Sequence, residues 1–116
     1  MKILLVDNHP LFVEGLQYLL EASGIEVTGI ARNGSEAFKK ARELKPDIIL
    51  MDINMPGHEG LETLKVIRGE MPAVKTVILT DSEDDEDMYE AVRAGAIGCL
   101  LKNLDGKKLV KLITGL

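Results

Sequence analysis

The stretch DIILMD, residues 47–52, sets four apolar side chains between two carboxylates with no polar break. A strand exposed on one face alternates apolar and polar residues, so an unbroken run of this length points to a strand covered on both faces. Runs of the same kind recur at Lys2–Asp7 (KILLVD), Ile25–Ala31 (IEVTGIA), Thr76–Thr80 (TVILT) and Ile97–Lys102 (IGCLLK). Between and after them, apolar residues fall at helical spacing: Phe12, Leu16, Leu19 and Leu20; Ala37, Ala41 and Leu44; Leu64, Ile67 and Met71; Met88, Ala91 and Val92; Leu109, Leu112, Ile113 and Leu116. Strands alternating with helices predict a doubly wound α/β fold of the (βα)5 type. Its sheet is parallel and five-stranded, with right-handed crossovers and helices on both faces.

Local signals mark the helix boundaries. Asn33 with Glu36, and Ser82 with Asp85, have the spacing of an N-cap and its capping-box partner. Gly24, Gly69 and Gly95 stand where helices are expected to stop, and Pro46 and Pro72 follow two of the expected ends. The length of 116 residues suits one domain, residues 1–116, with no linker, repeat or low-complexity tract. The last apolar stripe reaches Leu116, as in a longer protein trimmed at the end of its final helix.

Composition narrows the class. The chain is 46% hydrophobic and 28% charged with a net charge of −5, values ordinary for a soluble domain. Its basic residues are dispersed, which argues against nucleic-acid binding by this domain, because phosphate contacts need a basic face. No apolar run approaches the roughly 20 residues of a membrane span. Asp7 interrupts the N-terminal run too early for a signal peptide. A lone Cys99 cannot form an internal disulfide, which suits the cytoplasm.

All strands of a parallel sheet end on the same edge, and ligands of open α/β sheets bind beyond the carboxyl ends of the strands. Four of the five runs end there in polar residues: Asp7 with Asn8, Asp52, Thr80 and Lys102. Any one of them is adequately explained as the start of a loop; four at one edge are not. Clustered carboxylates repel one another unless a cation lies among them, and hard oxygen ligands suit Mg²⁺. A lysine facing such a cluster suits a phosphoryl group.

VDNHP, DIILMDINMPGHEG, ILTDSEDDED and AGAIGCLLKN, in this order and spacing, resemble the signature of response-regulator receiver domains over the whole chain. VDNHPLFVEGLQYLL and GCLLKN resemble most the branch carrying a LuxR/NarL-type helix-turn-helix output domain. The resemblance implies a flavodoxin-like strand order of 2-1-3-4-5. It implies that Asp52 is the phosphoacceptor, taking a phosphoryl group from a sensor histidine kinase in two-component signalling. Mg²⁺ would be held by Asp7, Asn8, Asp52 and the main-chain carbonyl of Asn54, with Asp7 reaching it mostly through water. Lys102 would pair with the phosphoryl oxygens, and Thr80 would hydrogen-bond to them and move inward as the switch. Such a domain is regulatory and assists only its own phosphotransfer and dephosphorylation. It is expected to control transcription through an output domain beyond residue 116, to form a homodimer on activation, and to touch DNA only through that output domain. No membrane partner is implied.

Three positions depart from the family pattern. Asn8 replaces an acid and offers Mg²⁺ an amide oxygen without charge. Asp81 follows Thr80 where a small or apolar residue is usual; pointing into solvent is the simpler reading. Cys99 stands where many relatives place an aromatic ring that turns inward on activation. Other features have structural explanations: acids at Glu83–Asp87 favour a helix N-terminus, Met55–Gly57 makes a tight turn, and Cys99 is buried and inert. His9 and His58 lack the spacing of a zinc site.

Other functions fit less well. A haloacid-dehalogenase-like hydrolase needs an Asp where Asn54 stands, and a flavin carrier needs a hydroxyl- and glycine-rich loop where Asn8–Leu11 lies. The nearest rival is a receiver that has lost phosphorylation and acts only as an interaction module, a reading to which Asn8 points.

Overall fold

The five apolar runs pair into one parallel sheet in the order β2-β1-β3-β4-β5. A computed structural model describes residues 1–53, 59–81 and 85–116, with the side chains of residues 59, 85 and 87 left aside. The strands are β1 (Lys2–Val6), β2 (Glu26–Ala31), β3 (Ile48–Asp52), β4 (Lys75–Thr80) and β5 (Gly98–Leu101). The helices are α1 (Pro10–Ala22), α2 (Gly34–Leu44), α3 (Glu59–Glu70), α4 (Asp85–Arg93) and α5 (Gly106–Thr114). Both the (βα)5 alternation and the strand order expected from the resemblance are present.

Period-two alternation sends each strand's side chains to opposite faces. Leu4, Val6, Ile49, Met51 and Ile78 face Ala37 and Ala41 of α2, Leu64 and Ile67 of α3 and Ala91 of α4. Ile3, Leu5, Ile48, Leu50, Val77 and Leu79 face Val13, Leu16 and Leu20 of α1 with Leu109 and Ile113 of α5. Every residue of β3 is buried, as the unbroken run in the sequence requires. Burying a side chain such as Leu50 is worth about 1.5–3 kcal/mol relative to exposure, and two such layers hold the central strand in place.

Helix ends follow local chemistry, with two differences from expectation. Asn33 caps α2: its Oδ1 accepts the Glu36 amide at 2.8 Å, and its Nδ2 donates to Glu36 Oε2 at 3.2 Å. Gly24 and Gly95 take the left-handed conformation after α1 and α4, where a side chain would strain the backbone. Gly69 instead lies inside the last turn of α3, which runs on to Glu70. Lys45 adopts a left-handed φ of 48° to close α2, a role the sequence does not advertise in a lysine. The expected Ser82–Asp85 cap and the Met55–Gly57 turn lie outside the described residues.

Four expected core positions are exposed: Val92, Leu112 and Leu116 of the helical stripes, and Ile97 at the start of the last apolar run. On α4 it is Ala91 that turns inward, and on α5 Leu109 and Ile113 supply the buried face. Helices lying over one side of a sheet bury a narrower stripe than the spacing suggested.

Candidate functional site

The strands deliver polar side chains to one edge on backbone that remains hydrogen-bonded. Asp7 lies one residue past β1, yet its amide donates to Ala31 O at 3.0 Å. Lys102 lies one residue past β5, and its amide donates to Thr80 O at 2.8 Å. Asp52 ends β3 opposite Leu79 of β4, and the next amide, that of Ile53, donates to Leu79 O at 3.0 Å. The ladder fixes these positions before any side-chain interaction is made.

The side chains then meet. Lys102 Nζ lies 2.8 Å from Asp7 Oδ2 and 3.1 Å from Asp52 Oδ2. Asp52 and Thr80 are fully buried, and Asp7 nearly so. Phe12 contributes an aromatic face, with Lys102 Nζ 4.7 Å from its ring centroid, within the range of a cation–π contact. Burial is the largest single influence on the Lys102 ammonium and disfavours its charge. The close approach of the Asp7 and Asp52 carboxylates outweighs it, so the pKa of Lys102 is raised above the ordinary lysine value.

His9 is a member of the site that its sequence spacing did not reveal. Its amide donates to Asp7 Oδ1 at 2.9 Å, and its Nδ1 lies 2.8 Å from the same oxygen. The ring is also 3.5 Å from Asp52 Oδ2 and 3.1 Å from Lys102 Nζ. Its only sequence signal was position, two residues beyond an edge carboxylate, because its remaining partners come from distant strands. The other histidine, His58, lies outside the described residues.

Among the described residues, two carboxylates face the Lys102 ammonium. Asp7 Oδ2 has no hydrogen-bond donor among the described residues, and its contact with Lys102 is an ion pair without hydrogen-bond geometry. Asp7, His9 and Asp52 each offer one ligand atom, all within 4.8 Å of one another. A buried, under-bonded carboxylate oxygen beside a second carboxylate fits a hard divalent cation such as Mg²⁺. Of the other expected site residues, Asn8 is exposed beside Asp7, Thr80 is buried at the end of the neighbouring strand, and Asn54 lies outside the described residues. Asp81 is exposed, in keeping with the solvent-facing reading, and lies on the rim of an open hollow with His9, Phe12 and Lys102. Cys99 is half-buried and packs against the core rather than being fully enclosed. A wider, mainly apolar hollow is lined by Met1, Pro46, Met71 and Leu116, with Asp47, Glu70, Lys45 and Lys75 also on its wall.

Comparison with known proteins decides the family. The sequence pattern described as the response regulator receiver domain matches residues 3–114. The chain belongs to that family. It is 43% identical over 114 residues to the transcriptional regulatory protein LnrK of Bacillus subtilis, covering 97% of this chain and 52% of that protein. It is 41% identical over 110 residues to the nitrate/nitrite response regulator protein NarL of Escherichia coli, covering 94% and 51%. Among solved structures, the receiver domain of the putative response regulator NarL from Mycobacterium tuberculosis superposes with a TM-score of 0.92 at 30% identity. That match covers 98% of this chain and 93% of the other. A LuxR-family response regulator from an Aurantimonas species matches with a TM-score of 0.92 at 36% identity, covering 98% and 82%. These relatives bear out the LuxR/NarL branch read from VDNHPLFVEGLQYLL and GCLLKN. The chain spans about half the length of the two regulators it matches.

Proposed function

We propose that this receiver domain is a phosphorylation switch in two-component signalling, with Asp52 as the phosphoacceptor. The observation that carries this reading is the Lys102 ammonium, held 3.1 Å from Oδ2 of a fully buried Asp52 with Asp7 on the same cation. An Asp52 carboxylate oxygen attacks phosphorus of a phosphohistidine on a sensor kinase. The new P–O bond forms as the P–N bond breaks, and its electron pair returns to the donor imidazole. Lys102 exchanges carboxylate partners for phosphoryl oxygens and neutralises part of their charge. Thr80, one residue beyond the ladder partner of Asp52, donates its hydroxyl to the phosphoryl group and draws β4 inward.

Asp7, Asp52, Asn8 and the Asn54 main-chain carbonyl would hold Mg²⁺, which supplies further neutralisation of charge on the transferring group. Residues 1–116 form the receiver, and an output domain follows it in the whole protein, as the coverage of the relatives suggests. DNA is bound through that output domain, phosphorylation promotes a homodimer, and the protein works in the cytoplasm. Among the described residues, no helix is long and apolar enough to cross a membrane.

Acetyl phosphate or phosphoramidate with Mg²⁺ should add one phosphoryl group by intact mass, and Asp52→Asn should take up none. Modification that persists in Asp52→Asn would place the acceptor elsewhere.

A further inference from the structure

The geometry points to His9 as a binding residue for the phosphoryl group on Asp52, an inference that rests on the function proposed above. His9 is the N-cap residue of α1, but its side chain does not cap the helix. The ring turns instead toward the sheet edge, where Nδ1 lies 2.8 Å from Asp7 Oδ1 and 3.5 Å from Asp52 Oδ2. The short contact with a carboxylate oxygen, an acceptor only, places the proton on Nδ1. Lys102 Nζ, 3.1 Å from the same nitrogen, donates to Asp52 Oδ2 and is ion-paired with Asp7 instead.

Phosphorylation converts one carboxylate charge into a more highly charged acyl phosphate and adds acceptor oxygens beside Asp52 Oδ2. The Nδ1–H of His9 then exchanges Asp7 Oδ1 for a phosphoryl oxygen. Releasing the ring does not orphan Asp7, because the backbone amide of His9 still donates to the same Oδ1 at 2.9 Å. The ring is 53% exposed while Asp52 is fully buried, so His9 forms part of the layer between the acceptor and solvent. Hydrolysis requires a water oxygen to bond to phosphorus as the P–O bond to Asp52 breaks, returning the carboxylate and inorganic phosphate. An imidazole hydrogen-bonded to the phosphoryl group hinders that approach and preserves the acyl phosphate.

The test is the lifetime of the phosphorylated chain in Mg²⁺ buffer after acetyl phosphate is removed, followed by intact mass. His9→Ala should shorten the half-life by roughly tenfold, the factor expected of one hydrogen bond to a charged group. The amide nitrogen of Asn falls near Nδ1 of His, whereas that of Gln falls near Nε2. His9→Asn should therefore keep most of the lifetime and His9→Gln should lose it, a distinction that simple loss of bulk would not produce. An unchanged or longer half-life in His9→Ala overturns the inference, as does retention by Gln with loss by Asn. Those results leave the proposed function standing. Failure of the unsubstituted chain to be labelled, or label that survives Asp52→Asn, overturns the proposed function and this inference with it.

Discussion

Lys102 and Asp7 form an ion pair of 2.8 Å between side chains that are 9% and 4% exposed, although one follows β1 and the other follows β5. The pair ties the edge strand β5 to the interior strand β1 through charge. Removing one member of a buried pair leaves an uncompensated charge, at a cost of about 3–5 kcal/mol. Lys102→Met should therefore lower the urea midpoint markedly in metal-free buffer. Added Mg²⁺ should restore more stability to the variant than to the parent, because a cation can fill the place of the ammonium between two carboxylates. Equal responses to Mg²⁺ would show that Asp7 and Asp52 do not share a cation.

The same lysine sets a pH dependence. Its folded pKa is raised above the unfolded value, so the stability it contributes is fully present below the ordinary lysine value of 10.5 and is lost as pH rises through the folded pKa. The difference in urea stability between the parent and Lys102→Met should be flat through neutral pH and shrink only above that value. Taking the difference cancels the contributions common to both proteins. A difference already falling near neutrality would mean that Lys102 is not held charged by this pair.

The architecture was legible because β3 is covered on both faces, so its apolar run is continuous and its strand assignment unambiguous. The edge cluster was legible for a topological reason: parallel strands deliver Asp7, Asp52, Thr80 and Lys102 to one side whatever their separation in sequence. His9 was not legible, since its orientation depends on a local bond from its own amide to Asp7 and on partners from two other strands. Phe12 matched a helical stripe and packs at the edge of the core with its ring beside Lys102, while the next residue, Val13, is the buried one. Side-chain spacing gives a helix face to within about one residue, and here that residue separates core from site.

Position 8 offers a test of metal affinity. Asn8 lies beside Asp7 without a charge of its own, so Asn8→Asp should tighten Mg²⁺ binding. Unit charges about 4 Å apart interact by roughly 1 kcal/mol in water and about 4 kcal/mol at an effective dielectric near 20. Because Asn8 is exposed, the lower end applies, and a gain of about fivefold in affinity is expected. The same substitution should lower stability in metal-free buffer by adding a third carboxylate to the edge. Titration of both proteins at equal ionic strength checks this, and equal affinities would remove position 8 from the metal site.

Gly60 and Gly69 belong to the same helix, α3, and should respond to alanine in opposite directions. A Cβ on Gly60 would lie 2.7 Å from Ile53 O and 3.1 Å from Asp52 O, the backbone of the proposed acceptor and of the residue after it. Backbone cannot yield as a flexible side chain can, so Gly60→Ala must shift either α3 or the end of β3. Overpacking of this kind costs about 1–3 kcal/mol, and displacement of Asp52 should also slow its phosphorylation. A Cβ on Gly69 meets nothing within 4 Å, and the residue lies in helical backbone. Gly69→Ala should raise stability by about 0.5–1 kcal/mol through helix propensity and leave phosphorylation unchanged. Urea denaturation and the rate of labelling by acetyl phosphate read both effects. If Gly60→Ala matched Gly69→Ala in stability and rate, α3 would not press on the backbone at Ile53, just past β3.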